Sequence, residues 1–280
     1  MRLISCLALL IHDPLSASAE PVQVMSYNLR YGLANDGVNH WKFRRNKVIS
    51  IIRQAEPDVF GVQEALYFQI QDLLAALPDY AMVGEGREGK SKGEFTAVFY
   101  HKRRMSVIND KTFWLSDTTN VPSASWGNIY CRIATQVHLK KIMSQKQFVV
   151  FNTHLDHQSS NAREKGMALI LNKVASLKKR LPVILMGDLN VTEDNIVIDM
   201  IKGDGNSDKN TRSFSDSYRA YFPKKQYAGT FNGFNDVNNT QRIDYIFVNK
   251  GFKVNQADII EDKIDGLFPS DHFPITAILT

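Results

Sequence analysis

The stretch VILMGDLN (residues 183–190) decides how this chain is read. Four apolar residues follow Pro182, and the chain then turns polar at Asp188 and Asn190. An apolar run without alternation predicts a strand covered on both faces. Such a strand has three common reasons to end in a carboxylate and an amide. The pair caps the next helix, or forms the magnesium end of a nucleotide site, or belongs to a phosphate-cleaving site assembled from several strand ends.

Working outward, QFVVFNTHLDH (147–157) repeats the pattern, with an apolar core and a polar end. Strands are predicted over 22–27, 58–64, 183–187, 243–248, 252–260 and 275–279, with a strand-rich stretch over 80–139 that alternates over 95–139. Helices are predicted over 41–55, 66–77 and 161–179, from apolar residues at three- and four-residue spacing, and near 194–202. A polar loop covers 203–213. Buried strands, an alternating antiparallel stretch and interspersed helices predict an α/β chain with mixed sheets and helices outside. No long linker divides residues 20–280, which are expected to form one domain.

Residues 1–19 read as a signal peptide. Arg2 precedes the apolar run LISCLALLI (3–11), and SASAE (16–20) offers a cut after Ala19. Export to a periplasm or medium is the expectation. Only Cys131 would then remain, which excludes an internal disulfide and a thiolate zinc cluster. No later run approaches the roughly 18 apolar residues of a membrane span. The net charge of +5 suits a phosphate-bearing partner without being a nucleic-acid signature.

GEGREGKS (84–91) matches the phosphate-loop pattern GxxxxGK[ST]. That motif works only where a helix begins at the Lys-Ser pair and turns its amides on the phosphates. Here Gly93 and an apolar strand follow, so a solvated hairpin turn is expected instead.

Six strand ends carry polar groups: Asn28, Glu64, His154 with Asp156, Asp188 with Asn190, Asp244, and Asp271 with His272. Singly, each reads as a turn or cap residue. Together they suit one reaction, because ligands gather at strand ends in open α/β sheets. Carboxylates and amides are hard ligands for Mg²⁺ or Mn²⁺, and histidine beside a carboxylate suits proton transfer.

The ordered set SYNLR, GVQE, FNTHLDH, GDLN, RIDYIFV and SDHFP resembles the endonuclease/exonuclease/phosphatase (DNase I-like) superfamily across nearly all of residues 22–280. The resemblance implies a four-layered α/β sandwich, two packed mixed sheets flanked by helices. It implies a metal-dependent hydrolase with Mg²⁺ or Mn²⁺ held by Glu64, with Asn28 beside it and Asp271 assisting. His154 would donate to phosphate, Asp188 would position or deprotonate water, and Asn190 would hold the nucleophile or the phosphate. Asp244 would orient His272, which would stabilise the phosphoryl charge. NHWKFRR (39–45), TFWLS (112–116), CRIAT (131–135), NAR (161–163) and GTFNGF (229–234) resemble an exported bacterial branch of undefined substrate. Arg132 and Arg163 are candidates to contact phosphate, and Trp126, Phe231 and Phe234 to line a pocket.

The expected activity is phosphodiester cleavage, on nucleic acid or a small diester. The alternatives are a phosphomonoesterase on sugar, inositol or nucleotide phosphates, and a lipid-headgroup phosphodiesterase. A glycoside hydrolase built on Glu64 and Asp188 would leave the histidines without roles. A non-catalytic binding protein would have no reason to keep every motif position. Basic clusters are scattered through the chain, which points to a short substrate. A monomer is expected.

Overall fold

The computed structural model describes residues 20–177, 181–203, 213–225, 228–235 and 241–280. The signal-peptide reading of residues 1–19 and most of the 203–213 loop lie outside these. In chain order the elements begin with β1 (Val22–Asn28), α1 (Trp41–Ala55), β2 (Val59–Gln63), α2 (Tyr67–Ala76), β3 (Tyr80–Val83) and β4 (Val98–His101). Next come β5 (Met105–Trp114), β6 (Ile133–Lys141), β7 (Gln147–His154), α3 (Ser160–Ala175), β8 (Val183–Asp188) and α4 (Ile196–Lys202). The last are β9 (Phe214–Asp216), α5 (Ser217–Tyr221), β10 (Asp244–Asn249), β11 (Val254–Ile259) and β12 (Ile275–Leu279).

The strands form two six-stranded sheets, ordered β11-β12-β1-β2-β4-β3 and β5-β6-β7-β8-β10-β9. Both are mixed. The β1–β2 and β7–β8 pairs are parallel and the others antiparallel. The strand period of two sorts each sequence between two cores. Val22, Val24, Val59, Val150, Ile184, Met186 and Ile246 meet between the sheets. Their neighbours Met25, Tyr27, Phe60 and Val62 turn outward against α1 and α2. On the other sheet Val149, Phe151, Leu185 and Tyr245 pack with residues of α3 and α4. The layers are therefore helix, sheet, sheet, helix, which is the four-layered sandwich expected from the sequence.

The helices follow their apolar spacing. α1 buries Val48, Ile51 and Ile52 and stops where Glu56 adopts φ 43° before Pro57. In α3 the Ser159 hydroxyl accepts from Ala162 N–H at the N-terminus. In α2 the Gln69 side-chain Oε1 accepts from Leu66 N–H at 2.9 Å and from Gly32 N–H at 3.0 Å. β9 and α5 have no counterpart among the expected elements. Each is too short to show a period, and α5 starts because the Asp216 carboxylate accepts from Tyr218 N–H at 3.0 Å. At 84–94 the chain forms the expected turn, with Gly86 N–H donating to the Lys90 carbonyl and Glu88 N–H to that of Lys92. No helix starts at Lys90, so the nucleotide-loop reading fails for want of its amides.

Between the sheets a buried amide pair replaces apolar contact. Gln63 donates to Asn152 Oδ1 at 2.7 Å, and Asn152 donates to the Val62 and Ala97 carbonyls at 3.0 and 2.9 Å. Paired in this way, buried amides fix the register of one sheet on the other. Gly187 is a second fixed point. Its φ is +140°, and an added Cβ would lie 1.9 Å from the Thr153 carbonyl oxygen. That atom belongs to the backbone of the paired strand, so it cannot swing aside. Gly187→Ala should therefore destabilise the protein by about 3 kcal/mol, the upper range for single substitutions. Urea unfolding would measure it, and a loss under about 0.5 kcal/mol would refute the close-approach account.

Candidate active site

The inner-face alternation continues to the strand ends, where it turns polar. On β1, Val22 and Val24 face the opposite sheet, and so do Ser26 and Asn28 by the same period. On β7 the inner series is Phe148, Val150, Asn152 and His154; on β8 it is Ile184, Met186 and Asp188. Register aligns the ends. His154 pairs with Asp188 across the parallel strands, and Asp188 pairs with Asp244 across the antiparallel ones. Asn28 pairs with Gln63 on the facing sheet, one residue before Glu64. Two sheets thus deliver polar side chains to one shared edge.

Asn28 holds that edge together. Its Nδ2 donates to Glu64 Oε1 and to Asp188 Oδ2, both at 3.0 Å, while its Oδ1 accepts from Arg30 N–H at 2.9 Å. The amide nitrogen faces the carboxylates. In this orientation Asn28 aims Glu64 and Asp188. Glu64 has φ +59°, a strained conformation for a side-chain-bearing residue. Its other oxygen accepts from Tyr31 N–H at 2.8 Å. Behind it, the buried Arg44 donates to the carbonyls of Leu29, Arg30, Asn39 and Pro269. One side chain thereby ties the segment after Asn28 to the segment before Asp271.

Asp188 lies at the centre. Its Oδ1 accepts from Asn190 N–H at 2.9 Å. Its Oδ2 is 3.6 Å from His154 Nε2 and 3.8 Å from His272 Nε2. Burial, reinforced by the nearby Asp244 charge, pushes its carboxyl up to about 7. His272 Nδ1 meets Asp244 Oδ2 at 2.8 Å. Burial works against its charged form, but the Asp244 and Asp188 carboxylates outweigh that and raise it well above the ordinary value. His154 shifts the opposite way. Burial, with Arg132 and His272 nearby, holds it well below the usual range, so it stays neutral. One imidazolium and one neutral imidazole therefore flank the same carboxylate.

These groups open into a pocket of about 740 Å³, within the usual size of small-molecule sites. Glu64, Arg132, His154, Asp188, Asn190, Phe231, Asp271 and His272 all line it. Asp244 lies behind His272 as its partner. The Asn190 amide donates to the Leu155 carbonyl at 3.0 Å. Phe231 sets its ring edge-on to His272, with 5.1 Å between centroids. Arg132 is held by Asp156 at 3.3 Å and by His157 Nδ1 at 2.8 Å. Asp271 approaches Arg30 Nε at 3.6 Å.

Besides Asn28 and Asp244, which stand behind the lining as partners of its carboxylates and of His272, three candidates fall outside it. The Trp126 indole donates to Asp117 Oδ1 at 3.0 Å, and its backbone carbonyl anchors Ser159 and Asn161. Arg163 donates to the Asp156 carbonyl at 3.0 Å, which stiffens the loop that carries His157. The Phe234 ring stacks on Arg44, 5.6 Å from its guanidinium carbon. Arg30, Tyr31, Arg87, Glu94, Tyr130 and His157 also line the pocket; only Arg30 and His157, at the ends of SYNLR and FNTHLDH, fall within the family motifs, and the sequence singles out none of them. They sit on loops, where period carries no information.

Among the described residues, Glu64, Asp188 and His272 offer donor atoms within 4.8 Å of one another. His272, held charged beside the Asp244 and Asp188 carboxylates, has no lone pair to offer at Nε2, which leaves the two carboxylates as the cation-binding groups. Glu64 and Asp188 accept from the same Asn28 amide nitrogen, both at 3.0 Å, so two carboxylates converge on one point, and hard oxygens suit a divalent cation. The residues fit such an ion.

The model of the Endonuclease/Exonuclease/phosphatase family matches residues 25–272. An endonuclease/exonuclease/phosphatase from Bacteroides vulgatus is 32% identical, with a TM-score of 0.86, covering 93% of this chain and 99% of that one. A mannosyl-6-phosphatase from Bacteroides thetaiotaomicron is 34% identical, with a TM-score of 0.84, covering 92% and 99%. Danio rerio TDP2, complexed with single-stranded DNA product, has a TM-score of 0.74 at 18% identity over 93% and 99%, a likeness of fold alone.

Proposed function

Because the chain belongs to the endonuclease/exonuclease/phosphatase family, whose members hydrolyse phosphate esters, we propose that it is a divalent-metal-dependent phosphomonoesterase acting on a short, hydroxyl-rich ester such as a sugar phosphate. The observation that carries this reading is the pocket wall, where acids and cations are paired. Arg87 is bonded to Glu94 at 2.8 Å, and Arg132 to Asp156. A groove for a polyanion needs free cations along its length. Among the described residues, several cations elsewhere are also paired: Arg45 with Asp72, Arg103 with Asp79, Arg104 with Asp58 and Lys141 with Glu20. The pocket therefore suits one phosphate and a neutral, polar leaving group. The 34% identical mannosyl-6-phosphatase supports the same choice. Diester cleavage, the first expectation from sequence, takes second place.

In this reading Glu64 and Asp188 would hold the ion, Mg²⁺ or Mn²⁺, which would supply neutralisation of phosphoryl oxygen charge. Asn28 keeps both carboxylates aimed. Asp188 positions the attacking water and takes its proton at Oδ2. His272, charged and braced by Asp244, donates from Nε2 to a phosphoryl oxygen. Neutral His154 donates to a second oxygen, and Asn190 fixes the Asp188 loop.

A panel of phosphate esters assayed with Mg²⁺ tests the proposal. Phosphate release from hexose phosphates should exceed turnover of dinucleotides and duplex DNA by about tenfold or more in kcat/KM. DNA cleavage with a salt slope equivalent to roughly six phosphate contacts would make the protein a nuclease instead.

A further inference from the structure

One wall of the pocket is built from three residues that the phosphate chemistry leaves unused. Arg87 and Glu94 face each other across the 84–94 turn, where Arg87 N–H donates to the Glu94 carbonyl at 2.9 Å. Their side chains form a two-pronged pair, Nη1 to Oε2 and Nη2 to Oε1, each 2.8 Å. The guanidinium carbon lies 4.9 Å from the centre of the Tyr130 ring. The Arg87 carbonyl accepts the Trp114 indole N–H at 2.7 Å, which anchors the turn to the end of β5. All three residues line the same pocket as Glu64, Asp188 and His272. Burial pushes the Glu94 carboxyl up to about 7, against the lowering influence of Arg87, and the Glu64 charge adds to the rise.

A turn needs no such pair to close, because its backbone bonds already do so. Drawing an ion pair into a wall where its side chains are 12% and 15% exposed incurs a desolvation penalty. The pair has spare valence. The fork uses two of five guanidinium N–H groups, and each carboxylate oxygen keeps a further lone pair. Rigid, adjacent donors and acceptors of this kind match a vicinal diol, whose hydroxyls donate to the carboxylate and accept from the guanidinium. Tyr130, 50% exposed, supplies the apolar surface against which the C–H face of a sugar ring packs.

We infer that Arg87, Glu94 and Tyr130 form a hydroxyl-reading subsite that receives the sugar part of the substrate, with a vicinal diol on the Arg87–Glu94 fork and the ring beside Tyr130. The inference deepens the phosphomonoesterase reading and rests on it for the placement of the phosphate. Phenyl phosphate, which lacks the diol, is the reference substrate. The parent should favour a hexose phosphate over it, and Glu94→Gln should lower the ratio of their kcat/KM values by about tenfold or more, chiefly through KM. Tyr130→Ala, on an exposed side chain with little effect on folding, should lower the ratio in the same direction. An unchanged ratio in both variants overturns the subsite. If no phosphomonoester is turned over, the functional reading fails by itself. The subsite is then decided by saturation-transfer NMR with phosphate-free methyl hexosides: signal in the parent that Glu94→Gln abolishes supports it, and equal signal in both proteins, or none, overturns it.

Discussion

Asp188→Asn should lower kcat by roughly 10²–10⁴-fold, the scale on which positioned acid–base and charge-stabilising groups act. The substitution keeps shape and volume, so the fold is expected to survive. What it removes is specific. Asp188 Oδ2 is the atom on which Asn28 Nδ2 at 3.0 Å, His154 Nε2 at 3.6 Å and His272 Nε2 at 3.8 Å converge. An amide keeps one acceptor, loses the charge and cannot take a proton from water. It also removes one of the three carboxylates that hold His272 charged, leaving Asp244 and Asp271. His272→Ala should fall in the same range, because the charge braced by Asp244 is lost at the phosphoryl group. Steady-state kinetics on a hexose phosphate, with thermal unfolding as the control for folding, would read both. A kcat within a few-fold of the parent for either variant would refute the role of the residue replaced.

Much of this site is legible in the sequence. Asn28, His154 and Asp188 each end an apolar strand, and a buried strand has no reason to carry a polar tip unless something polar meets it there. The period of two then dictates that these tips face the opposite sheet, and the register His154–Asp188–Asp244 brings three of them side by side. Glu64 is equally visible as the residue after GVQ, although its φ of +59° is not. The pocket wall is hidden for a physical reason. Arg87, Glu94 and Tyr130 lie on turns, where neither period nor apolar burial constrains side chains, and the charges of GEGREGKS read as solvated. That stretch imitates a phosphate loop in pattern, yet its contribution is Arg87 in the wall. Size alone draws Trp126 toward the pocket. Its indole instead serves Asp117 and its carbonyl serves the start of α3.

Removal of divalent cations should abolish turnover, and restoring Mg²⁺ or Mn²⁺ should recover it. Glu64 and Asp188 converge within a cluster whose donor atoms lie inside 4.8 Å, at an edge where burial raises both the Asp188 and Asp271 carboxyls. Arg30 and His272 compensate part of that charge, and a bound cation would compensate the rest. Glu64→Gln tests the assignment, because glutamine preserves the bond to Tyr31 N–H through its carbonyl while withdrawing the charge. Mutations that only orient metal ligands lower affinity about 10–100-fold, and loss of a ligating charge should do at least as much. Binding can be read without turnover. A cation at 100 times its dissociation constant should stabilise the parent by about 2.7 kcal/mol, and the same concentration should leave Glu64→Gln nearly unshifted in thermal unfolding. Asn28→Ala should weaken binding less, since Asn28 aims the carboxylates without ligating. Full activity after exhaustive chelation, or an equal thermal shift in the parent and Glu64→Gln, would remove the metal from the mechanism and leave charge compensation at the phosphate to the Asp244–His272 pair and the pocket arginines Arg30 and Arg132.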